Sequence, residues 1–371
     1  MRLKKSGLCA ALCGIALLTG CVSPLANKSA DQAVRKIMLQ NWNSKGYNID
    51  ADIGFDELNV AEVDKAKEDG GQLEQAAASA ADQIARSMRL NVRAALDVPG
   101  GKLELIPALR LERRNLLTSV QLPLQFHAKD LSLLVDPSAA YLFVPEMQAY
   151  EGKFLRVRLP QRVADNFPLQ AMYQAMPKLL DEAYAKVDKQ AFSFQPLDSR
   201  AAELGARYRL RIAMNRAQEN QMASHIIAGL IQVARQEAAR KPQIKPGTLG
   251  SESLLQLIDS LIKASEANPL NSSTVSDLYV SRGGDLLAIR QTIRFDSPRF
   301  RGQAHADIRY SNQGKPVFAF QPAEADILDL ERLDKPEWLK SLGLALHALN
   351  QAPAADDEGA AAATPDASAA Q

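Results

Sequence analysis

Three closely spaced aspartates are the first residues in the chain whose types and spacing suggest a chemistry. Asp50, Asp52 and Asp56 offer the carboxylate oxygens that calcium sites use. An EF-hand loop that began at Asp50 would need glycine at its sixth position and glutamate at its twelfth, but Phe55 and Ala61 stand there. The same aspartates alternate with apolar residues, as on the wet side of a strand. We therefore expect a solvated strand face and no metal site.

The four histidines, His127, His225, His305 and His347, do not form a recognisable catalytic set. No two have metal-ligand spacing, and the chain contains neither G-x-S-x-G nor a phosphate-binding glycine loop before a helix. His225 lies beside the most apolar helical stretch, where a histidine with a local hydrogen bond is the ordinary explanation. We expect no catalytic residues, no metal and no cofactor, and hence a protein that is not an enzyme.

The remaining reactive side chains are cysteines, at Cys9, Cys13 and Cys21. A basic start is followed by an apolar run over residues 8–18, which is too short to cross a bilayer core of about 30 Å as a helix. A short apolar run after basic residues is typical of a signal peptide that is removed on export.

The sequence Leu18-Thr19-Gly20-Cys21 resembles the lipobox of bacterial lipoproteins. The resemblance implies that residues 1–20 are removed and that Cys21 is acylated, so that chains such as palmitate hold the protein on a membrane. Two or more acyl chains anchor a protein stably without a transmembrane helix. Val22-Ser23 lacks the aspartate associated with inner-membrane retention, which implies an outer-membrane protein facing the periplasm. An ordinary secretory signal is the alternative.

Charge and cysteine content exclude further classes of function. The chain has 44 Lys and Arg against 43 Asp and Glu, and the predicted signal contains three of the basic residues and none of the acidic ones. A nearly neutral remainder argues against a nucleic-acid partner, which would call for a basic patch. Because Cys21 would carry lipid and no other cysteine remains, disulfides and zinc–cysteine sites are excluded.

The clearest structural signal is strict alternation of apolar and polar residues, which is typical of antiparallel strands with one wet face. It occurs over residues 47–55, 88–98, 120–126, 155–159, 208–214, 287–295 and 304–310. With turn residues between the stretches, this pattern predicts a meander of about ten to twelve strands.

Helical periodicity identifies the elements that must cover the apolar side of this sheet. We predict helices over 169–187 (interrupted by Pro177), 218–240, 254–262 and 336–349, whereas 61–86 is helical or mobile. The predicted fold class is α+β: a large curved antiparallel sheet, a half-barrel, with helices packed against its concave face.

The predicted organisation has four parts. They are a signal peptide over 1–20, a lipidated tether over 21–29, an α+β domain over 30–350, and an Ala-rich tail over 351–371 that has little to bury. Two subdomains with a break near 190–205 are an alternative for the long middle part.

The apolar helices suggest a function if they leave a gap above the sheet. Residues that would line such a cavity are Ile226, Ile227, Leu230, Ile231, Leu254, Ile258 and Leu261. Burying about fifteen methylenes at roughly 0.8 kcal/mol each gives about 12 kcal/mol before ordering costs. A lipid or acylated ligand could then bind without any polar motif. If the helices fill the concavity, the protein is instead a structural or adaptor lipoprotein that recruits an envelope protein.

Arginines on the polar sides of the predicted strands have two interpretations. One is pairing with carboxylates on neighbouring strands, which contributes about 0.2–1 kcal/mol per pair. The other is an electropositive face for anionic headgroups or an acidic partner. The residues of that face would be Arg207, Arg209, Arg211, Arg290 and Arg294.

Two stretches resemble a known family. They are Val135-Asp136-Pro137 with Tyr141-Leu142-Phe143 and Gly152-Lys153-Phe154-Leu155-Arg156-Val157, and Asp277-Leu278-Tyr279-Val280 with Gly283-Gly284-Asp285-Leu286-Leu287-Ala288-Ile289-Arg290. These hairpin patterns are similar to those of the envelope lipoproteins and lipoprotein carriers that include LolA, LolB and LppX. The resemblance implies a half-barrel with an acyl-binding cavity and no catalytic residues. This chain differs in being longer, at 27–86 and 215–270.

Overall fold

The structure is a computed structural model that describes residues 23–60, 71–113, 115–142, 145–158, 168–240, 260, 271–297 and 300–330. Several predictions therefore lie outside the described residues. These are the signal peptide over 1–20, lipidation of Cys21, His347, the helices over 254–262 and 336–349 with Leu254, Ile258 and Leu261, and the tail over 351–371. None of the described helices is long and apolar enough to cross a bilayer.

The described residues contain thirteen strands, all of which belong to one sheet. They are β1 (Gly46–Val60), β2 (Met88–Asp97), β3 (Lys102–Arg113), β4 (Leu116–Gln121), β5 (Leu124–His127), β6 (Ser132–Val135), β7 (Phe154–Arg158), β8 (Phe192–Gln195), β9 (Tyr208–Asn215), β10 (Asn271–Val280), β11 (Leu286–Asp296), β12 (Phe300–Ser311) and β13 (Ile327–Asp329).

The sheet consists of two meanders joined along one seam. Its order is β13-β7-β6-β5-β3-β2-β1-β12-β11-β10-β9-β8, and β4 pairs beside β3. The seam is the long antiparallel pairing of β1 with β12, while β13 alone pairs in parallel, with β7. Near 190–205 the chain leaves the sheet after β8 and returns to it as β9, and these two strands pair with each other at the far edge. The described residues thus form one sheet across the proposed subdomain break.

The predicted strand over 120–126 is in fact two strands, and proline is the reason. β4 ends at Gln121 and β5 begins at Leu124, and both pair with β3. Pro123 lies between them and has no backbone N–H to donate to the ladder. The break leaves β4 at an edge, where its outer side pairs with no other described strand.

Five α-helices lie within the described residues. They are α1 (Ala30–Trp42), α2 (Gln72–Ser87), α3 (Leu169–Lys186), α4 (Ser199–Leu204) and α5 (Arg216–Arg240). The helices predicted over 169–187 and 218–240 are confirmed, and α3 continues through Pro177. The segment over 61–86 is helical from Gln72.

The main core forms where α1 and residues 187–192, which lead into β8, pack against the sheet. Val34 and Ile37 of α1 are fully buried against Leu210 and Leu278, which belong to β9 and β10. Leu25 also belongs to this cluster and is 3% exposed. The chain therefore already contacts the core at Leu25, within the segment predicted as the tether.

The helices are tied to one another above this core. Arg35 of α1 donates two hydrogen bonds to Asp181 of α3, from Nε to Oδ1 at 2.7 Å and from Nη2 to Oδ2 at 2.6 Å. α5 approaches α3 at Gly229, where a Cβ atom would overlap the methyl carbons of Leu179. The glycine therefore lets the two helices pack closely without displacing that side chain. The predicted α+β class, a large antiparallel sheet with helices packed against its apolar face, is confirmed.

Candidate functional site

The apolar side chains of β1–β7 stand in rows that cross the strands, because residues directly opposite in a ladder point to the same face. One row consists of Tyr47, Leu96, Leu103, Phe126, Leu133 and Val157, and the next of Ile49, Ala94, Leu105, Leu124, Val135 and Leu155. With strands about 4.8 Å apart, each row runs for roughly 24 Å. Neither row contains a charged side chain. We call these two rows, together with the exposed Leu90 and Leu109 on the same side of β2 and β3, the open apolar face.

Part of the open apolar face is accessible to solvent, unlike the same face farther along the sheet, although Leu155 at the end of the second row is only 6% exposed. The exposed fractions are 39% for Leu103, 46% for Leu109 and 37% for Val157. Leu210 and Leu278, which point to the same side of β9 and β10, are 0% exposed because helices cover them. Monomeric proteins rarely expose a large contiguous apolar patch, and where one occurs it is often a binding site.

Aromatic side chains mark the boundary between the covered and the open parts. The rings of Tyr47 and Tyr310 meet edge to face with centroids 5.5 Å apart, and Trp42 stacks on Tyr173 at 5.1 Å. Burial raises the pKa of Tyr310 to about 12, and the neighbouring Tyr47 and Tyr184 contribute to that rise. These four aromatic side chains therefore bring no charge to the boundary at neutral pH.

The opposite, polar face of the same strands is covered by residues 312–330, which we call the strap. Asn48 holds its start, because the Asn48 Nδ2 donates to the Val317 carbonyl at 2.7 Å and its Oδ1 accepts from the Val317 N–H at 2.8 Å. Farther along, the ring of Phe320 stacks on Phe154 with centroids 5.4 Å apart. The strap then pairs with β7 as β13.

A buried carboxylate fixes the middle of the strap. Glu104 is 2% exposed and accepts hydrogen bonds from the N–H groups of Ala319 at 2.7 Å and Phe320 at 3.2 Å. Gln125 donates to the Glu104 carboxylate at 3.3 Å and to the Phe320 carbonyl at 3.1 Å. The site is fully paired, so it stabilises the strap and is not a free functional group.

Two of the five arginines in the predicted face, Arg209 and Arg211, are paired with a carboxylate. Arg211 makes two hydrogen bonds to Asp277, at 2.8 and 2.9 Å, and Arg209 donates to the same carboxylate at 2.7 Å. Burial opposes ionisation of Asp277, but hydrogen bonds from Arg211 and Arg209 outweigh it and lower the pKa of that carboxyl. The pairing interpretation holds for these residues.

The other predicted arginines differ in their surroundings. Arg290 lies 3.4 Å from Asp307, whereas Arg294 donates from Nε to the neutral amide of Gln303 at 3.1 Å. Arg207 is exposed and immediately precedes β9. Only part of the predicted face therefore carries charge that a partner could use.

The four described residues predicted to line a cavity lie in α5. Leu230 and Ile231 pack against Met172 and Ala234, where α5 meets α3, so they belong to the contact between the two helices. Ile226 and Ile227 are half-buried on the same helix. The structure thus places accessible apolar surface on the strands, while part of α5 is used in helix packing.

The histidines and aspartates make local contacts. His305 lies 2.6 Å from Asp56, and His225 lies 2.7 Å from the Lys186 amine. Among the described residues no group of three or more His, Cys, Asp or Glu side chains is arranged to hold a metal ion. Asp50 stands opposite Arg309 across the seam, on a strand face as the alternation predicted.

The strand that contributes most to the site, β3, does not show the alternation by which the other strands were predicted. β3 contains Leu103, Leu105 and Leu109, but Ile106 and Ala108 between them are apolar too. They are buried on the polar face, so the alternation is lost. The usable signal was the short alternation over 102–105, in which Lys102 and Glu104 are the polar members.

Comparisons of this chain with protein-family models, with curated proteins and with solved structures found no match. The resemblance to envelope lipoproteins and lipoprotein carriers therefore stays a prediction.

Proposed function

We propose that this protein binds the acyl chain of a lipid or acylated ligand on the open apolar face. The observation that carries the proposal is the pair of uncharged apolar rows, each crossing six strands, with Leu103 and Val157 exposed by 39% and 37%. Such rows provide no hydrogen-bonding side chain for a polar ligand apart from the Tyr47 hydroxyl at one end.

The energetics favour an acyl chain as the occupant. Each methylene removed from water contributes about 0.8 kcal/mol, and a chain laid along one row would contact several leucine and phenylalanine side chains in succession. Ordering the chain and the side chains opposes part of this gain. Because the binding energy comes from the acyl chain, recognition of a particular head group is not required. The sequence, which lacks a recognisable catalytic set, agrees with a protein that only binds its ligand.

The cellular setting forms part of the proposal. A lipid on Cys21 would place the domain at a membrane, most simply the outer membrane with the domain facing the periplasm, where it serves envelope trafficking or maintenance. Radioactive palmitate should label the wild-type chain and not Cys21→Ala. Labelling that survives the substitution would disprove the anchor without touching the acyl-binding proposal.

The direct test uses the chain from residue 22 onward, which keeps every described element. We expect native mass spectrometry to show co-purified lipid, and a fluorescent fatty acid to bind with saturation. Leu103→Glu should weaken that binding by more than about tenfold, because a carboxylate in the path of the acyl chain is left without water or a partner.

The control is Leu197→Glu, an identical change at a residue that is 53% exposed in the loop after β8. It should bind the fatty acid as the wild type does, and both variants should keep the wild-type circular dichroism spectrum. A clean apo mass together with no fatty-acid binding would refute the acyl-binding proposal.

A second candidate, an adaptor for an envelope protein, is favoured by β4. Leu116 and Leu117 are 50% and 62% exposed, and the outer edge of β4 pairs with no other strand in the described part of the chain. An extended segment of a partner can add to such an edge. A photo-crosslinker at position 117 should yield one defined protein adduct in the envelope, and its absence would exclude this edge.

A further inference from the structure

A groove of about 320 Å³ lies on the polar face of β9, β10 and β11. Its lining residues are Arg211, Ser273, Val275, Thr292 and Arg294, and we call it the arginine groove. In the β10–β11 ladder Ser273 stands opposite Arg294 and Val275 opposite Thr292, so four of the five side chains are directly paired across two strands. The groove is on the other side of the sheet from the open apolar face.

The arginine groove contains hydrogen-bond donors that the described residues leave unused. Arg211 is held by Asp277 through its Nε and Nη2, which fixes the guanidinium and leaves Nη1 available. Arg294 uses only Nε, towards Gln303, so its two terminal nitrogens remain. Among the described contacts, the hydroxyl groups of Ser273 and Thr292 make no hydrogen bond.

The charge at the groove is positive, because its described lining residues include two arginines and no carboxylate. Asp277 is the nearest acidic partner of Arg211, and it is shared with Arg209. Arg209 has a second acidic neighbour, Asp198, at 3.0 Å. These two carboxylates balance Arg209 and Arg211, so Arg294, whose described partner is a neutral amide, contributes an unbalanced charge.

We propose that the arginine groove binds a phosphate group. Guanidinium groups present planar pairs of donors that match phosphate oxygens, and two hydroxyls between two arginines can satisfy further oxygens of a tetrahedral anion. The volume of about 320 Å³ leaves room for a phosphate with an attached alcohol. The phosphate belongs either to a lipid headgroup or to a small soluble phosphate. This site is independent of acyl binding on the opposite face.

The test is isothermal titration calorimetry of the chain from residue 22 onward with inorganic phosphate at low ionic strength. We expect saturable binding that Arg294→Glu weakens by at least about tenfold, because charge-assisted hydrogen bonds are lost and a repulsive charge is added. Arg294 is exposed, so this variant should fold. Arg294→Lys should keep part of the affinity.

The matched control is Arg282→Glu, which makes the same charge change at an exposed residue in the turn between β10 and β11. It should bind phosphate as the wild type does. A wild-type chain that does not bind phosphate, or an Arg294→Glu variant that binds it normally, would overturn the proposal.

A second titration, with dihexanoyl phosphatidylglycerol below its micellar concentration, separates the two sources. Tighter binding than inorganic phosphate that is also lost in Arg294→Glu identifies a lipid headgroup. Binding no tighter than inorganic phosphate, with the same loss in the variant, identifies a small soluble phosphate. Both results support the phosphate site.

Discussion

In β8–β11 the apolar face of the sheet is packed beneath helices, whereas in β1–β7 the polar face is the one that is covered, by the strap. Leu210 and Leu278 show the first arrangement, since both are 0% exposed under the helices. Glu104 and Gln125 show the second, since they are 2% and 1% exposed beneath the strap while Leu103 on the other side remains accessible.

The difference shows that two parts of one sheet can be stabilised by covering opposite faces. Apolar burial acts over a broad area and needs no directional partner, so helices suffice over β8–β11. The strap has a backbone that must find hydrogen-bond partners when buried, and Asn48, Glu104 and Gln125 supply them. The apolar side of β1–β7 remains partly exposed.

The largest expected difference comes from one substitution made in each half. Leu210→Ala should lower the free energy of unfolding by about 2–5 kcal/mol, because it leaves a cavity beneath the helices. Leu103→Ala, an identical change on the open apolar face, should cost about 1 kcal/mol or less. Urea unfolding measures both values. Equal losses of unfolding free energy would show that the open apolar face is buried as completely as the apolar face of β8–β11. The two halves of the sheet would then not differ in this respect.

A smaller effect is expected from loosening the strap. Glu104→Gln should destabilise the protein by about 1–3 kcal/mol, because the neutral amide cannot replace a buried carboxylate that accepts from two backbone N–H groups. Hydrogen exchange at Ala319 and Phe320 should speed up, while exchange in β9 and β10 stays slow. Glu112→Gln, an exposed change on the same strand, serves as control. Uniform acceleration throughout the sheet would mean that the strap is not a separate stabilising element.

The smallest expected effect is a pH dependence of stability that comes from His127. Burial, assisted by the nearby charge of Lys102, lowers the pKa of His127, whose Nε2 lies 2.8 Å from Gln125. Since the unfolded chain takes up the proton at about pH 6.5 and the folded chain only at lower pH, stability should decline as the pH falls below about 6.5. His127→Gln should have a flatter dependence of unfolding free energy between pH 7 and 5. An unchanged slope would contradict this assignment.

Much of the fold could be predicted from local patterns. The alternation over 47–55 and 304–310 predicted the two strands of the seam, and the periodicity over 218–240 predicted α5. β3 was missed because Ile106 and Ala108 are buried on the polar face, which removes the period of two. The strap was missed because it has little regular structure and depends on partners far away in the chain.

The sequence predicted an apolar surface as the candidate site, but the structure places the accessible apolar side chains on other residues than those predicted. Alternation implied an apolar side of a broad sheet, whereas the proposed lining on α5 includes Leu230 and Ile231, which pack against α3. Which of two apolar surfaces remains accessible depends on how helices pack, and periodicity is the same for a covered and an uncovered face. The arginines show the same limit, because pairing of Arg211 with Asp277 requires strands β9 and β10 to be neighbours.

The sequence alone determined the class of the fold, since residue alternation dictates strands with one apolar side, and it argued against a familiar catalytic set. Tertiary structure alone decided which part of that side is covered, which arginines are neutralised, and that a chain segment seals the opposite face of β1–β7. The physical reason is that secondary structure follows from the period of nearby side chains. Exposure and charge pairing depend instead on contacts between residues as far apart as Glu104 and Ala319.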